Sequence, residues 1–213
     1  MTEQRRPVSS VRPGFARDDW NTRYAQKELV WTAEPNRLFA TETASLEPGR
    51  ALDLACGEGR NAVWLAEQGW HVTGVDFSDV ALAKAAELAA SRGVHVDWVV
   101  ADVLEYEPEP RAFDLVAMLY LQLPREELLH AVRSAVGAVA PGGTLLVLAH
   151  DTTNLTAGYG GPKDASVLYT AADLVPELLE LEVERAEAVG RSVPLEDGEA
   201  IALDAFVRAH RLR

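Results

Sequence analysis

The sequence predicts an α/β domain in which helices cover both faces of a mostly parallel sheet whose last strand runs antiparallel. Three observations carry this. A short apolar strand at 51–55 runs into the turn Cys56-Gly57-Glu58-Gly59 and directly on into a helix. Strands and helices then alternate as far as Ala149, and repeated βα units build a parallel sheet. Finally, two strand-like stretches at 181–189 and 200–209 have only a Pro/Gly/acidic turn between them, so they form an antiparallel pair at the sheet edge.

The elements follow in order. Residues 1–17 contain Pro7, Ser9, Ser10, Pro13 and Gly14 without periodicity and read as a flexible tail, with order beginning near Asp18. From Trp20 to Ala44, the apolar positions Trp20, Tyr24, Leu29, Trp31, Leu38 and Phe39 suggest two short helices broken near Pro35. Residues 18–48 are therefore a candidate lid on a single domain at 18–213, with plain packing of the aromatics as the alternative. The strand at 51–55 is followed by a helix at 60–68, a strand at 71–76 and a helix at 79–92. Ser78 caps that last helix, Ala81, Leu82, Ala85, Leu88 and Ala89 give it an apolar side, and Gly93 ends it. Strands at 95–100 and 113–119, a helix at 125–139, the turn Pro141-Gly142-Gly143 and a strand at 143–149 complete the alternation. A short helix after Thr170 ends near Leu179.

Composition narrows the function. A chain of 213 residues, 48% hydrophobic, suits one domain; at this length folding buries roughly 70% of the unfolded surface. A net charge of −13 repels polyanions, and the basic residues near Arg5-Arg6 and Arg208 to Arg213 are few and terminal, so no nucleic-acid partner is expected. The single cysteine, Cys56, excludes a disulfide framework and a cysteine metal cluster. His71, His95, His130, His150 and His210 lack metal-ligand spacing, so no metal is expected. The N-terminus is polar without a secretion segment, and no apolar run reaches the roughly 18 to 20 residues of a membrane span. The cytoplasm is the expected location, with no membrane contact.

A sheet of this kind binds ligands outside the carboxyl ends of its strands. Gly57 and Gly59 open the first loop, and Asn61 belongs to the same motif. Asp53 places a carboxylate just before that loop, which disfavours a pyrophosphate and suits a ligand carrying an ammonium group; a structural acceptor is the alternative. Asp76, 23 residues after Asp53, ends the next strand and can accept both hydroxyls of a ribose, with a helix-capping role as its alternative. Phe77 can lie along an adenine face, with a hydrophobic contact under the second helix as the alternative. Asp102 can accept from an adenine amino group while the Val103 N–H reaches a ring nitrogen, with an exposed turn acid as the alternative. Cys56 reads as a small side chain between strand and loop. The fourth strand exits at Leu119-Tyr120-Leu121-Gln122 and the fifth at His150-Asp151-Thr152. The loop at 154–162 is placed to enclose a substrate, and Trp20 and Tyr24 are candidate pocket residues. Histidine's near-neutral titration makes His150 a candidate base or substrate contact, with a structural loop role as the alternative, and Tyr120 can orient an acceptor. Asp151 is adjacent in sequence but points the other way on a continuing strand.

The motifs D-L-A-C-G-E-G-R-N at 53–61, G-V-D-F-S at 74–78, A-D-V at 101–103, F-D-L-V at 113–116 and P-G-G-T-L at 141–145 occur in this order. Together they resemble the class I S-adenosylmethionine-dependent methyltransferases over residues 51–150. The resemblance implies a Rossmann-like three-layer sandwich with seven strands, the last reversed. It implies S-adenosyl-L-methionine as cofactor and S-adenosyl-L-homocysteine as product. It assigns Gly57 and Gly59 to the methionine end, Asp76 to the ribose, and Asp102-Val103 to the adenine. Trp20, Tyr24, Asp53, Cys56, Asn61, Phe77 and Leu119 complete the expected cofactor contacts. The aromatic N-terminal helices and G-x-G-R-N resemble the small-molecule branch related to thiopurine and tellurite-resistance enzymes.

Leu119-Tyr120-Leu121-Gln122 replaces the Asn/Asp-Pro-Pro-aromatic signature of amino-methylating enzymes, which argues against a nucleobase amine. The expected acceptor is an O, N or S atom of a small, aromatic or apolar molecule, handled by a monomer or weak homodimer. Methylation of a protein side chain, cofactor binding without catalysis and a nicotinamide oxidoreductase are the alternatives.

Overall fold

A computed structural model describes residues 16–213. The expected tail at 1–17 lies outside these residues except for its last two, and the first helix already includes Arg17. In chain order the elements are α1 (Arg17–Ala25), α2 (Arg37–Thr43), β1 (Arg50–Leu54), α3 (Arg60–Glu67), β2 (His71–Asp76), α4 (Asp79–Arg92), β3 (Asp97–Val100), β4 (Phe113–Leu119), α5 (Arg125–Ala138), β5 (Val139–His150), α6 (Asn154–Ala157), α7 (Ala171–Leu174), β6 (Glu182–Leu195) and β7 (Gly198–His210). They build one seven-stranded sheet in the order β3-β2-β1-β4-β5-β7-β6. β1 to β5 pair in parallel, and β7 runs antiparallel to both β5 and β6. The strand order reverses between β1 and β4, where such sheets open a crevice at their carboxyl ends.

Both faces are covered. Leu128, Ala131, Val132 and Ala135 of α5, with Leu174 and Leu178, pack on one side of the sheet. Phe39, Ala62, Leu65 and Trp70 pack on the other. This double burial explains why β4 (FDLVAML) is apolar on both faces instead of alternating. The α4 boundaries follow the sequence signals: the Ser78 side chain accepts from the Ala81 N–H at 3.0 Å, and Gly93 closes the helix at φ +68°.

Four expectations are corrected. Leu29 and Trp31 are not helical, because the Val30 and Trp31 N–H groups donate to the Glu58 carboxylate in place of a helical ladder. β3 begins at Asp97, two residues later than the apolar pattern suggested. β5 begins at Val139 and carries Pro141-Gly142-Gly143 as an irregularity between the pairings with Phe113 and Leu115. Backbone bonds from Gly142 N to Arg211 O and from Arg211 N to Gly143 O hold that excursion. The β6–β7 hairpin also runs further than read, turning at Glu196-Asp197.

Gly59 fixes the junction of loop and helix. Its φ is +73°, and a Cβ there would lie 2.6 Å from the Trp98 ring and 2.7 Å from the Ala85 Cβ. Gly59→Ala is expected to lower stability by about 2 to 4 kcal/mol, combining left-handed strain with overpacking. A denaturant midpoint unchanged from the parent would show that the loop adapts freely.

Candidate functional site

The carboxyl ends of β1, β2 and β3 bring the predicted acids together. Asp76 is buried; its Oδ2 accepts from the Gly57 N–H at 2.8 Å and its Oδ1 from the Ser78 N–H at 2.9 Å. One carboxylate thus ties the glycine loop to the start of α4, and each oxygen keeps a lone pair for a ligand. Burial, partly offset by those two N–H groups, raises its pKa. Asp102 follows β3, with Oδ1 accepting from the Leu104 N–H at 2.9 Å. Phe77 is half-buried at the same edge, while Val103 is buried in the core. Cys56 is buried beside Gly74, and burial, then Asp53 and Asp76, push its thiol well up, which fits a packing role. Leu119 also packs in the core, on the side of Phe39 and Phe206.

Asp53 lies between Gly74 and Ala117 in the sheet and is 1% exposed. Its Oδ2 is buried without a hydrogen-bond donor among the described residues. Burial and the neighbouring Asp76 raise its pKa from 3.8 to about 7, with Arg60 and the Ala62 N–H opposing. The unfolded chain therefore releases this proton at lower pH than the folded protein does. Stability is full below the unfolded pKa and falls as pH rises toward about 7, by about 4 kcal/mol for a shift of roughly three units. Thermal unfolding between about pH 4 and about pH 8 should show this decline, and Asp53→Asn should flatten it. An identical slope in the variant would remove Asp53 as the cause.

The N-terminal segment covers the loop. A Cβ at Gly57, where φ is +55°, would lie 2.9 Å from the Tyr24 hydroxyl, so that ring stands directly over the turn. Tyr24 is 5% exposed; burial, then Asp76, raise its pKa. Trp20 stacks beside it with ring centroids 5.6 Å apart, and the Arg23 guanidinium lies over both Trp20 and Trp31. Sequence reading missed the fastener. Glu58, 3% exposed inside the glycine loop, accepts from the Val30 and Trp31 N–H groups and pairs with Lys84 at 3.3 Å. Lys84 in turn donates to the carbonyls of Tyr24 and Lys27. A charged residue between two loop glycines, with a lysine on the following helix, was the available signal.

A second cluster lies at the exits of β4 and β5. Tyr120 takes a positive φ of +57°, uncommon for a non-glycine residue. Its hydroxyl donates to Asp204 Oδ2 at 2.8 Å and receives the Asn36 Nδ2–H at 3.1 Å. Burial, then Asp204, raise its pKa. The Tyr120 and His150 rings are 5.1 Å apart, and His150 Nδ1 lies 3.3 Å from Asp204 Oδ1. Arg191 Nε donates to Asp204 Oδ2 at 2.7 Å. Burial pushes the Asp204 pKa up, but the bonds from His150, Arg191 and Tyr120 outweigh it and hold the carboxyl low. His150 and Asp204 are directly opposed in the β5–β7 register. Asp151 instead accepts from the Thr153 N–H and hydroxyl. A Cβ at Gly161 would meet the His150 ring at 3.0 Å, so the loop expected to enclose a substrate does lie against this histidine. The Asn61 side chain is committed to the Asn36 N–H at 2.9 Å. Asp204, Arg191 and Asn36 carried no sequence signal.

No group of three or more His, Cys, Asp or Glu among the described residues is placed to hold a metal ion, and no described helix is long and apolar enough to cross a membrane.

Residues 51–143 match a family described as a methyltransferase domain. The chain is 29% identical over 154 residues to the 2-heptyl-1-hydroxyquinolin-4(1H)-one methyltransferase of Mycobacteroides abscessus, covering 71% of this chain and 64% of that one. It is 31% identical over 117 residues to a ubiquinone biosynthesis O-methyltransferase of Marinobacter nauticus, covering 53% and 49%. The chain thus spans about half to two thirds of the length of these relatives. Among solved structures, TehB from Haemophilus influenzae superposes with a TM-score of 0.71 at 18% identity, covering 92% of this chain and 67% of that one, a likeness of fold.

Proposed function

We propose, on the premise that this chain belongs to the class I S-adenosylmethionine-dependent methyltransferases, that it methylates an O, N or S atom of a small aromatic or apolar molecule. The observation that carries the reading is the gathering of Gly57, Asp76 and Asp102 at successive strand ends, with Tyr120 and His150 just beyond. The relatives' printed activities, on a hydroxyquinolone and in ubiquinone biosynthesis, support a small acceptor. When bound, S-adenosylmethionine supplies a methyl group on a sulfonium, and the carbon–sulfur bonding pair stays with sulfur as S-adenosylhomocysteine forms.

The residues present fit that cofactor. The donorless Asp53 oxygen suits its ammonium end, directly or through water, and the positive φ of Gly57 and Gly59 shapes the turn beside it. Asp76 accepts the ribose hydroxyls, and Asp102 with Val103 binds adenine. Trp20, Tyr24, Phe77 and the wall formed by Cys56, Asn61 and Leu119 shape the pocket. Tyr120 orients the acceptor. His150 removes the proton of a hydroxyl acceptor at Nε2 as the oxygen pair bonds to the methyl carbon, while Asp204 holds Nδ1 as a positioning residue. Alignment and water exclusion supply much of the remaining rate. We further infer a cytoplasmic monomer or weak homodimer whose charge of −13 disfavours nucleic acid.

Residues 18–48 act as a lid latched by Glu58. S-adenosylhomocysteine should slow hydrogen exchange across Trp20 to Trp31, and Glu58→Ala should speed it by about tenfold in the unliganded protein. Equal exchange in all three samples would reduce the segment to packing. The test of function is incubation with methyl-labelled cofactor and a cell extract. Label on a metabolite is expected; label on protein or nucleic acid alone would overturn the small-molecule assignment.

A further inference from the structure

Arg60 opens α3 directly after the glycine turn and forms no ion pair among the described residues; its Nη1 reaches the Thr32 hydroxyl at 3.4 Å. The acids nearby are already engaged. Glu58 serves Val30, Trp31 and Lys84, and Asp204 serves Tyr120, Arg191 and His150. Asp53 is buried and titrates only near 7. Burial accordingly draws the Arg60 pKa down, and after burial its charge interacts with Tyr120 and Arg191 ahead of Asp53 and Glu58.

Backbone geometry puts the same residue at the acceptor end. Thr32 belongs to the segment that leads to Asn36; the Asn36 N–H is held by Asn61, and its side chain by the Tyr120 hydroxyl. The Arg191 guanidinium lies 5.6 Å from the Tyr120 ring centroid and is neutralised by Asp204, while the Arg60 charge acts on the same phenol without a carboxylate paired to it among the described residues. A half-buried cation without a counter-ion is costly to keep, and a planar guanidinium fork is suited to two parallel bonds from a carboxylate. In a chain of net charge −13, such a cation gives small anions one place of attraction.

We propose that Arg60 binds an anionic oxygen group, a carboxylate or comparable oxyanion, carried by the methyl acceptor, with Arg191 beside it. This rests on the methyl-transfer reading and deepens it: the acceptor's ring or apolar body lies by Tyr120, and its anion is read from the glycine-loop side. The competing source of the same chemistry is the carboxylate of the cofactor itself.

Calorimetric titration separates the two sources. The full-length protein is first saturated with S-adenosylhomocysteine and then titrated with benzoate and with its neutral isostere benzamide. Wild type is expected to prefer benzoate by about tenfold or more, Arg60→Gln to lose that preference, and S-adenosylhomocysteine affinity to stay within about threefold. If Arg60→Gln does not fold, Arg60→Lys makes the same comparison with a loss of about threefold, since the charge stays and the fork goes. Equal binding of the two probes by wild type, or no benzoate binding at about 10 mM, overturns the proposal. So does a variant whose benzoate preference survives while its S-adenosylhomocysteine affinity drops about tenfold, which would give Arg60 to the cofactor. Failure of wild type to bind S-adenosylhomocysteine would sink the methyltransferase reading instead.

Discussion

Replacing His150 with glutamine is expected to lower turnover by about ten- to ten-thousandfold while leaving S-adenosylhomocysteine affinity nearly intact. The expectation follows from the surroundings of the ring. Asp204 is 1% exposed, its carboxyl is held low, and its Oδ1 lies 3.3 Å from His150 Nδ1, so Nε2 is the ring nitrogen turned away from that carboxylate. Glutamine keeps a polar group of similar reach but has no basic ring nitrogen. Asp53, Gly57 and Asp76, proposed to face the cofactor, lie on β1, in the loop after it and on β2, so the loss should fall on the chemical step. Single-turnover measurement with the acceptor identified by labelling separates chemistry from binding. An unchanged single-turnover rate would mean that the nucleophile arrives as a thiolate, a free amine or another species that needs no base.

Asp76→Ala should weaken S-adenosylmethionine binding by about ten- to a hundredfold, equivalent to about 1.5 to 3 kcal/mol. Two losses combine. The ribose acceptor disappears, and the Gly57 and Ser78 N–H groups lose the oxygens that hold the loop against α4. Asp76→Asn tells these apart, because the amide can still accept one of the two N–H bonds but presents a donor where the second ribose hydroxyl would be accepted. Calorimetry on folded variants is the measurement. Affinity equal to wild type in the alanine variant would end the ribose assignment and leave Asp76 as a loop anchor.

The sheet, its reversed last strand and the capped helix α4 were legible in the sequence. Their signals are local: apolar runs, a serine at a helix start, glycines where the backbone must take positive φ, and two strands with no helix between them. The gathering of Asp53, Asp76 and Asp102 at one edge was legible for the same reason, since each lies near or just past the carboxyl end of a strand, and parallel strands deliver those ends to one side. Charge state was not. Asp53 reads as an ordinary carboxylate in the sequence, yet enclosure beside Asp76 raises its pKa to about 7.

Tertiary structure alone decided the rest of the site. The partner of His150 is Asp204, not the adjacent Asp151, because the antiparallel β5–β7 register sets His150 and Asp204 side by side while successive residues along a strand face opposite ways. Arg191 joins them because β6 pairs with β7, and Asn36 joins because α2 folds over the exit of β4. The fastening of the N-terminal segment through Glu58 and Lys84 likewise brings together residues far apart in the sequence, from the N-terminal segment, the glycine loop and α4. A sequence records which side chains exist and the local periodicity that folds them, but partnership between distant side chains is set by strand register and by which groups burial leaves in need of a counter-charge.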